Sequence, residues 1–177
     1  AARAVGRDIP LRFDALGDRD ILFDSELHEL LLELPEVASA IEAYAIALVR
    51  QGRLEDALGV LRAVMASAAA TAETYLHAAA LEHRTGSGAT LVVLQAASER
   101  FPQSVAVAAG LYRAALDMGD LGLAAIAAEQ VFRARPLDHT AGLNFVRVLN
   151  WSERFAEALD AAQGLLIHVR SAGLLVA

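Results

Sequence analysis

Residues 105–138 read VAVAAGLYRAALDMGDLGLAAIAAEQVFRARPLD. Apolar and small residues recur every three to four positions on both sides of Gly119-Asp120. That spacing predicts two short amphipathic helices joined by a tight turn. Pro136 then stops the second helix, because proline cannot continue a helix interior. The flanking segments have the same length and the same phase. Thr71, Ser104 and Asp138 stand where a first helix should begin, and the step from each to the next is nearly constant. Ser87, Asp120 and Ser152 stand where the second helices should begin. Each of these residues offers a side-chain oxygen to the unbonded N–H groups of a first turn.

Working outward, the pattern divides 37–172 into four units of helix–turn–helix: 37–70, 71–104, 105–138 and 139–172. Residues 25–36 hold SELHELLLELP, with Leu27, Leu30, Leu31 and Leu34 at helical spacing and Pro35 as its stop, which reads as an N-terminal helix or a decayed repeat. Residues 1–24 are broken by Gly6, Pro10 and Gly17 and read as an irregular extension. The tail at 173–177 stays apolar, which points to self-association or to continuation into further sequence.

A helix pair recurring with this period resembles the tetratricopeptide family. In the first unit the residues that fall on the family pattern are Ile41, Tyr44, Ala45 and Leu48, then Ala57 and Leu61. In the second they are Thr74, His77, Ala78 and Leu81, then Thr90, Leu94 and Pro102. In the third they are Ala108, Leu111, Tyr112 and Ala115, then Ala124, Ala128 and Pro136. In the fourth they are Gly142, Phe145, Val146 and Leu149, then Ala158 and Ala162. The large aromatic of the first column is missing throughout, Tyr112 stands at a small-residue position, and Arg170 replaces the last proline. The resemblance implies an all-α, right-handed superhelix of antiparallel hairpins. Each hairpin has an apolar face that only its neighbour can cover. Ala45, Ala57, Ala78, Ala124 and Ala158 are the small residues at which the axes should approach.

Composition agrees. Hydrophobic residues make up 56% and charged residues 21% of the 177-residue chain, with 39 alanines and only 6% aromatics. Such a chain builds many thin helices rather than a sheet. The net charge is −7 and all fifteen basic residues are arginine, so the basic stripe that nucleic acid requires is missing. The alanine- and arginine-rich usage suggests a bacterial source. With no cysteine there is neither a disulfide nor a thiolate metal site. No apolar run spans a bilayer. The expected compartment is the cytoplasm, with the periplasm left open.

Chemistry is sparse. The five histidines form no HExxH, and there is no GxSxG, phosphate loop or dinucleotide fingerprint. His77 reads as a hydrogen-bonded interior residue. No catalytic, cofactor or metal site is expected. In arrays of the resembled kind the first helices line a groove that holds peptides. That places Glu42, Ile46 and Arg50, then Tyr75, Ala79, Glu82 and His83, then Ala109, Arg113 and Asp117, then Leu143, Arg147, Asn150 and Trp151 on the inner wall. Arg113 and Arg147, one period apart, should stack in neighbouring hairpins with Trp151 one turn further on. Arginine grips carboxylates with two parallel hydrogen bonds, so the expected partner is a protein or peptide segment of acidic character. A bland alternative pairs Arg113 with Asp117 and stacks Arg147 on Trp151. The carboxylate-clamp pattern is missing: Ala43, Leu76 and Gly110 occupy three of its columns, and only Asn144 fits. The expected role is a non-enzymatic scaffold or assembly module. A secretion chaperone of the same fold, or the recruiting domain of a larger enzyme, is the alternative.

Overall fold

The structure, a computed structural model, describes the backbone of residues 35–174 and the side chains of residues 39–167. The expected extension at 1–24 and nearly all of the helix expected at 25–36 lie outside the described residues. Eight helices follow in order: α1 (Pro35–Arg50), α2 (Leu54–Ala66), α3 (Ala72–Thr85), α4 (Thr90–Arg100), α5 (Val105–Asp117), α6 (Leu121–Ala134), α7 (His139–Trp151) and α8 (Phe155–Leu174), and the described residues contain no strand. Pro35, expected to close a preceding helix, stands within α1. Consecutive helices pack as four antiparallel hairpins, and α3 also touches α5, the first helix of the next hairpin.

Repeated local chemistry sets the turns. Gly52, Gly86 and Gly119 all have positive φ, at 80°, 70° and 75°, and the fourth hairpin puts Glu153 there with φ 59°. The next residue sends its N–H back five positions each time: Arg53 to Leu48 O, Ser87 to Glu82 O, Asp120 to Ala115 O and Arg154 to Leu149 O. This left-handed cap with its long return bond satisfies the last carbonyls of the first helix. A side chain is strained at such a φ, whereas glycine is not. Glu153→Gly is therefore expected to stabilise the fourth hairpin by roughly 0.5–1 kcal/mol, the strain relieved less the extra freedom gained by the unfolded chain. A melting temperature unchanged or lowered would refute that.

Thr71, Ser104, Asp120 and Asp138 cap helices as expected, each accepting an N–H two or three positions on. Neither Ser87 nor Ser152 is a helix N-cap, and both expectations are corrected; Ser87 Oγ does accept the Ala89 N–H at 3.2 Å, but Ala89 itself precedes α4. The second turn runs on through Gly88 and Ala89, so α4 starts at Thr90 and Ser87 Oγ instead donates to the Glu82 carboxylate. Ser152 comes too early in the chain, and its hydroxyl donates to Val148 O at 2.8 Å and Leu149 O at 3.1 Å, closing α7. The positions equivalent to Asp120 are Arg53 and Arg154, which instead pair with Asp56 at 2.6 Å and Glu157 at 2.5 Å in the first turns of α2 and α8.

The core runs along the whole array. Ala57, Ala78 and Ala124 are fully buried, and Ala45 and Ala158 nearly so, as the close-crossing scheme requires. At Gly142 an added Cβ would lie 2.8 Å from Leu165 Cδ1 and 3.2 Å from Phe132 Cε2, so α6, α7 and α8 converge there only because the side chain is absent. The first two hairpins are pinned by Arg100, at the end of α4. Its guanidinium donates to Ser67 O at 2.9 Å, Ala68 O at 3.1 Å and Met65 O at 3.2 Å, the carbonyls at and just after the end of α2.

One register differs from expectation. The turns fall at Gly52, Gly86, Gly119 and Glu153, so the short step of the array lies between the second and third hairpins. The step from α1 to α3 is one residue longer than expected. The second-unit positions matching Ile41, Tyr44, Ala45 and Leu48 are therefore Tyr75, Ala78, Ala79 and Glu82. A slip of one residue turns a helix by about 100°, and it changes which side chains face outward.

Candidate functional site

With the register set by the turns, two columns of side chains run across all four first helices on one exposed face. One holds Ile46, Ala80, Arg113 and Arg147, and the other holds Arg50, Arg84, Asp117 and Trp151; all eight residues are exposed. A helix turn repeats about every 3.6 positions, so members four apart on each helix share a face.

Clefts open between successive first helices. A cleft of about 560 Å³ lies between α3 and α5, walled by Leu76, Ala80 and His83 on one side and Ala106, Ala109, Arg113 and Asp117 on the other, with Arg135 from the end of α6 closing it. A smaller, mainly apolar cleft of about 160 Å³ lies between α1 and α3, lined by Ile46, Val49, His77, Ala80 and Arg84. Ala80 is common to both, so the two clefts adjoin across its small side chain.

Of the residues predicted from sequence, His83, Ala109, Arg113 and Asp117 meet in the larger cleft with Ala79, and Ile46 lies in the smaller one. Leu143, Arg147, Asn150 and Trp151 are exposed on α7, Trp151 by 56%, and Arg50 is exposed at the end of α1. Glu42 is half-buried, and its carboxylate accepts a hydrogen bond from Thr74 Oγ1, tying α1 to the start of α3. Two placements need correction. Tyr75 is only 6% exposed, its hydroxyl donating to Met65 O and its ring edge-on to Phe101 at 5.8 Å. Glu82 is only 1% exposed. Both occupy columns that turn inward to the core, and the one-residue slip explains why they read as groove residues. Leu76, Ala80 and Arg84 take their places. His77, expected inside, is exposed at the smaller cleft. Arg84 is recoverable from sequence, since it follows Arg50 by the same step as Arg147 follows Arg113. Arg135 is not, because only the packing of α6 brings it to the cleft.

Among the described residues Arg84, Arg113, Arg135 and Arg147 form no ion pair, and the pairing of Arg113 with Asp117 is not made. Nor does Arg147 lie over Trp151, since the one cation–ring contact among the described residues is Arg100 over Phe101 at 5.7 Å. Burial raises the pKa of Tyr112 above its ordinary value, and the positive charge of Arg147 pulls it back in part. The field of α7 thus reaches α5. No three His, Asp or Glu side chains among the described residues come together as metal ligands, and no described helix is long and apolar enough to cross a membrane.

Solved structures share this architecture. The chain is similar to the MamA RS-1 ArsTM double mutant at 17% identity, over 74% of this chain and 74% of that one, with a TM-score of 0.59. It is similar to a crystal structure of MamA at 18% identity, over 85% and 83%, with a TM-score of 0.56. It is also similar to MamA 41-end from Desulfovibrio magneticus RS-1 at 17% identity, over 83% and 86%, with a TM-score of 0.55. No family model matches the sequence, and no curated protein does. The hairpin order and these likenesses make the fold a right-handed, tetratricopeptide-like superhelix of about four repeats.

Proposed function

We propose that the chain is a protein-interaction module with no enzymatic chemistry of its own, and that the face of its first helices holds an acidic segment of a partner protein. The observation that supports this is the sign of the exposed columns. The chain as a whole carries −7, yet these two columns carry four arginines against one acid, Asp117, with Arg135 added at the cleft. Exposed arginines are usually scattered and hydrated. Here they sit at repeat spacing beside apolar walls, where a carboxylate can be gripped by two hydrogen bonds while aliphatic parts of the segment fill the Leu76–Ala109 cleft. Trp151, next in line after Asp117, offers a flat ring of the kind that anchors interfaces.

The test is a panel of short peptides graded in Asp and Glu content, measured against the purified chain and against Arg113→Ala/Arg147→Ala. Affinity should rise with acidity and fall with added salt. Losing two charge-assisted contacts of about 1.5 kcal/mol each should weaken binding roughly 100-fold. Helicity should not change, because both arginines are exposed. Equal binding of basic peptides, or full affinity in the double variant, would sink the reading.

A further inference from the structure

The cleft between α3 and α5 presents its charges in an order that a segment can match. Along α5 from the hairpin turn come Asp117, then Arg113 one helical turn further in, then a floor hollowed by small residues. Ala109 stands there where α3 has Leu76 and α7 has Leu143, and Gly110 where they have His77 and Asn144. Arg135 closes the far end, because α6 finishes beside the start of α5, where Gln130 donates to Pro102 O and Ala134 adjoins Val105. At about 1.5 Å per residue, Asp117 to Arg113 is about 6 Å and Arg113 to Val105 about 12 Å. A segment in extended form rises about 3.3 Å per residue and turns alternate side chains to one side, about 6.6 Å apart. Read at alternate positions, the matching sequence is a base for Asp117, an acid for Arg113, an apolar residue for the floor and an acid for Arg135.

The chain carries that sequence itself. Three places before α1 have acids two positions either side of an apolar residue, centred on Leu16, Leu22 and Leu31. Only the first has a base at the next alternate position, giving Arg12, Asp14, Leu16 and Asp18. Around Leu22 that position holds Asp18 or Glu26, either of which Asp117 repels, and around Leu31 it holds Leu27 or Pro35, which leave Asp117 unmatched. We propose that residues 12–18 occupy the cleft of their own chain, so that a partner's acidic segment has to displace them. Arg12 meets Asp117, Asp14 meets Arg113, Leu16 covers Ala109 and Gly110, and Asp18 meets Arg135. The direction fits, since Asp18 leaves at the rim where the first helices begin, and α1 begins there at Pro35. The chain from Asp18 to Pro35 can extend about 55 Å, while the cleft is about one and a half helix spacings, on the order of 15 Å, from α1. A tether of that length supplies the segment at an effective concentration near millimolar, so weak contacts suffice to hold it. The proposal rests on the preference of the arginine face for acids and adds a check on it.

Disulfide trapping tests this, since the chain has no cysteine of its own. Leu16→Cys/Ala109→Cys, mildly oxidised when dilute, should form an intramolecular bond at least about tenfold faster than Leu16→Cys/Ile126→Cys, whose second site is exposed on α6 outside the cleft. Adding Arg113→Ala/Arg135→Ala should slow the bond about tenfold, and salt should slow it too. Asp117→Arg should slow it several-fold, and Arg12→Glu on that background should restore it. Equal rates at the two sites, a bond found only between copies, or rates that ignore Asp117→Arg and its rescue would overturn the proposal. The acidic peptides separate it from the partner reading. They should bind Asp14→Asn/Leu16→Ser/Asp18→Asn roughly tenfold more tightly than wild type. Acid-dependent binding that is equal in both overturns this proposal and spares that reading, whereas trapping without any peptide binding would do the reverse.

Discussion

Ala57→Glu should be the most damaging single exchange in the array, lowering stability by about 4 kcal/mol or more. Ala57 is fully buried, in the core cluster that contains Ala45, Leu48 and Ala78. That cluster is apolar and offers a new carboxylate no cation, so the charge is either stranded or the hairpin opens to hydrate it. For a chain of this size about 1 kcal/mol shifts the melting temperature by about 2–4 °C, so the loss should approach roughly 10–15 °C. Stacked repeats couple only to their neighbours, so the damage should be local. Hydrogen exchange should speed up in α1, α2 and α3 while α7 and α8 keep their protection. Ala124→Leu, at an equally buried site in α6, should cost less, about 1–3 kcal/mol, because overpacking can be relieved by small shifts. Ala66→Glu, at the exposed end of α2, is the control and should cost under about 0.5 kcal/mol. Near-wild-type melting of Ala57→Glu would remove the close-crossing scheme, whatever the helices looked like.

The same alanines show what the sequence makes legible. Their spacing, the caps at Thr71, Ser104, Asp120 and Asp138, and the turn glycines at 52, 86 and 119 are local signals, each tied to a backbone need that one residue can meet. They suffice for the hairpins and for many of the buried positions. The candidate face is only partly legible, because it depends on register. The residue before α1 in the sequence, Leu34, has no side-chain oxygen to mark the phase of that helix. The step from Thr71 to Ser104 is then the nearest guide, and it is one residue shorter than the step from α1 to α3. That single residue turns Tyr75 and Glu82 outward in a reading of the sequence and hides Arg84. Ser152 misleads for a related reason: a serine near a turn can serve the helix behind it as well as the helix ahead, and only the turn's backbone decides. Arg135 is beyond reach, since its place at the cleft depends on how α6 packs and on no pattern in α6 itself. Arg113 and Arg147 are legible because their step is the same as that between their turns, Gly119 and Glu153.

Glu82 yields the second large effect, because it breaks the rule of its column. Its equivalents Leu48, Ala115 and Leu149 are buried and apolar, yet Glu82 is a carboxylate with 1% of its side chain exposed. Arg62 donates to its Oε1 at 2.7 Å, and Ser87 Oγ donates to its Oε2. Burial alone would raise its pKa, but the Ser87 hydroxyl and the Arg62 charge outweigh burial and hold it below the ordinary 4.5. Removing the cation leaves a buried charge with one hydrogen bond. Arg62→Ala is expected to cost about 1–3 kcal/mol at neutral pH, less than a fully enclosed pair would, because Arg62 is 56% exposed and partly screened by water. Glu82→Leu, which restores the column's own side chain, should be neutral or stabilising, and Arg62→Ala should then cost almost nothing on that background. The pH dependence follows from the sign of the shift. A carboxylate whose folded pKa is lowered contributes stability that is present above 4.5 and is lost as pH falls through the lowered folded value. Acid should therefore erode wild type more than Glu82→Leu. The cost of Arg62→Ala should also shrink below that range, since a protonated Glu82 no longer needs a cation. Urea titrations of wild type, the two single variants and the double variant at neutral and acidic pH would decide this. A penalty for Arg62→Ala that is the same with and without the Glu82 carboxylate would show that the arginine acts through something else.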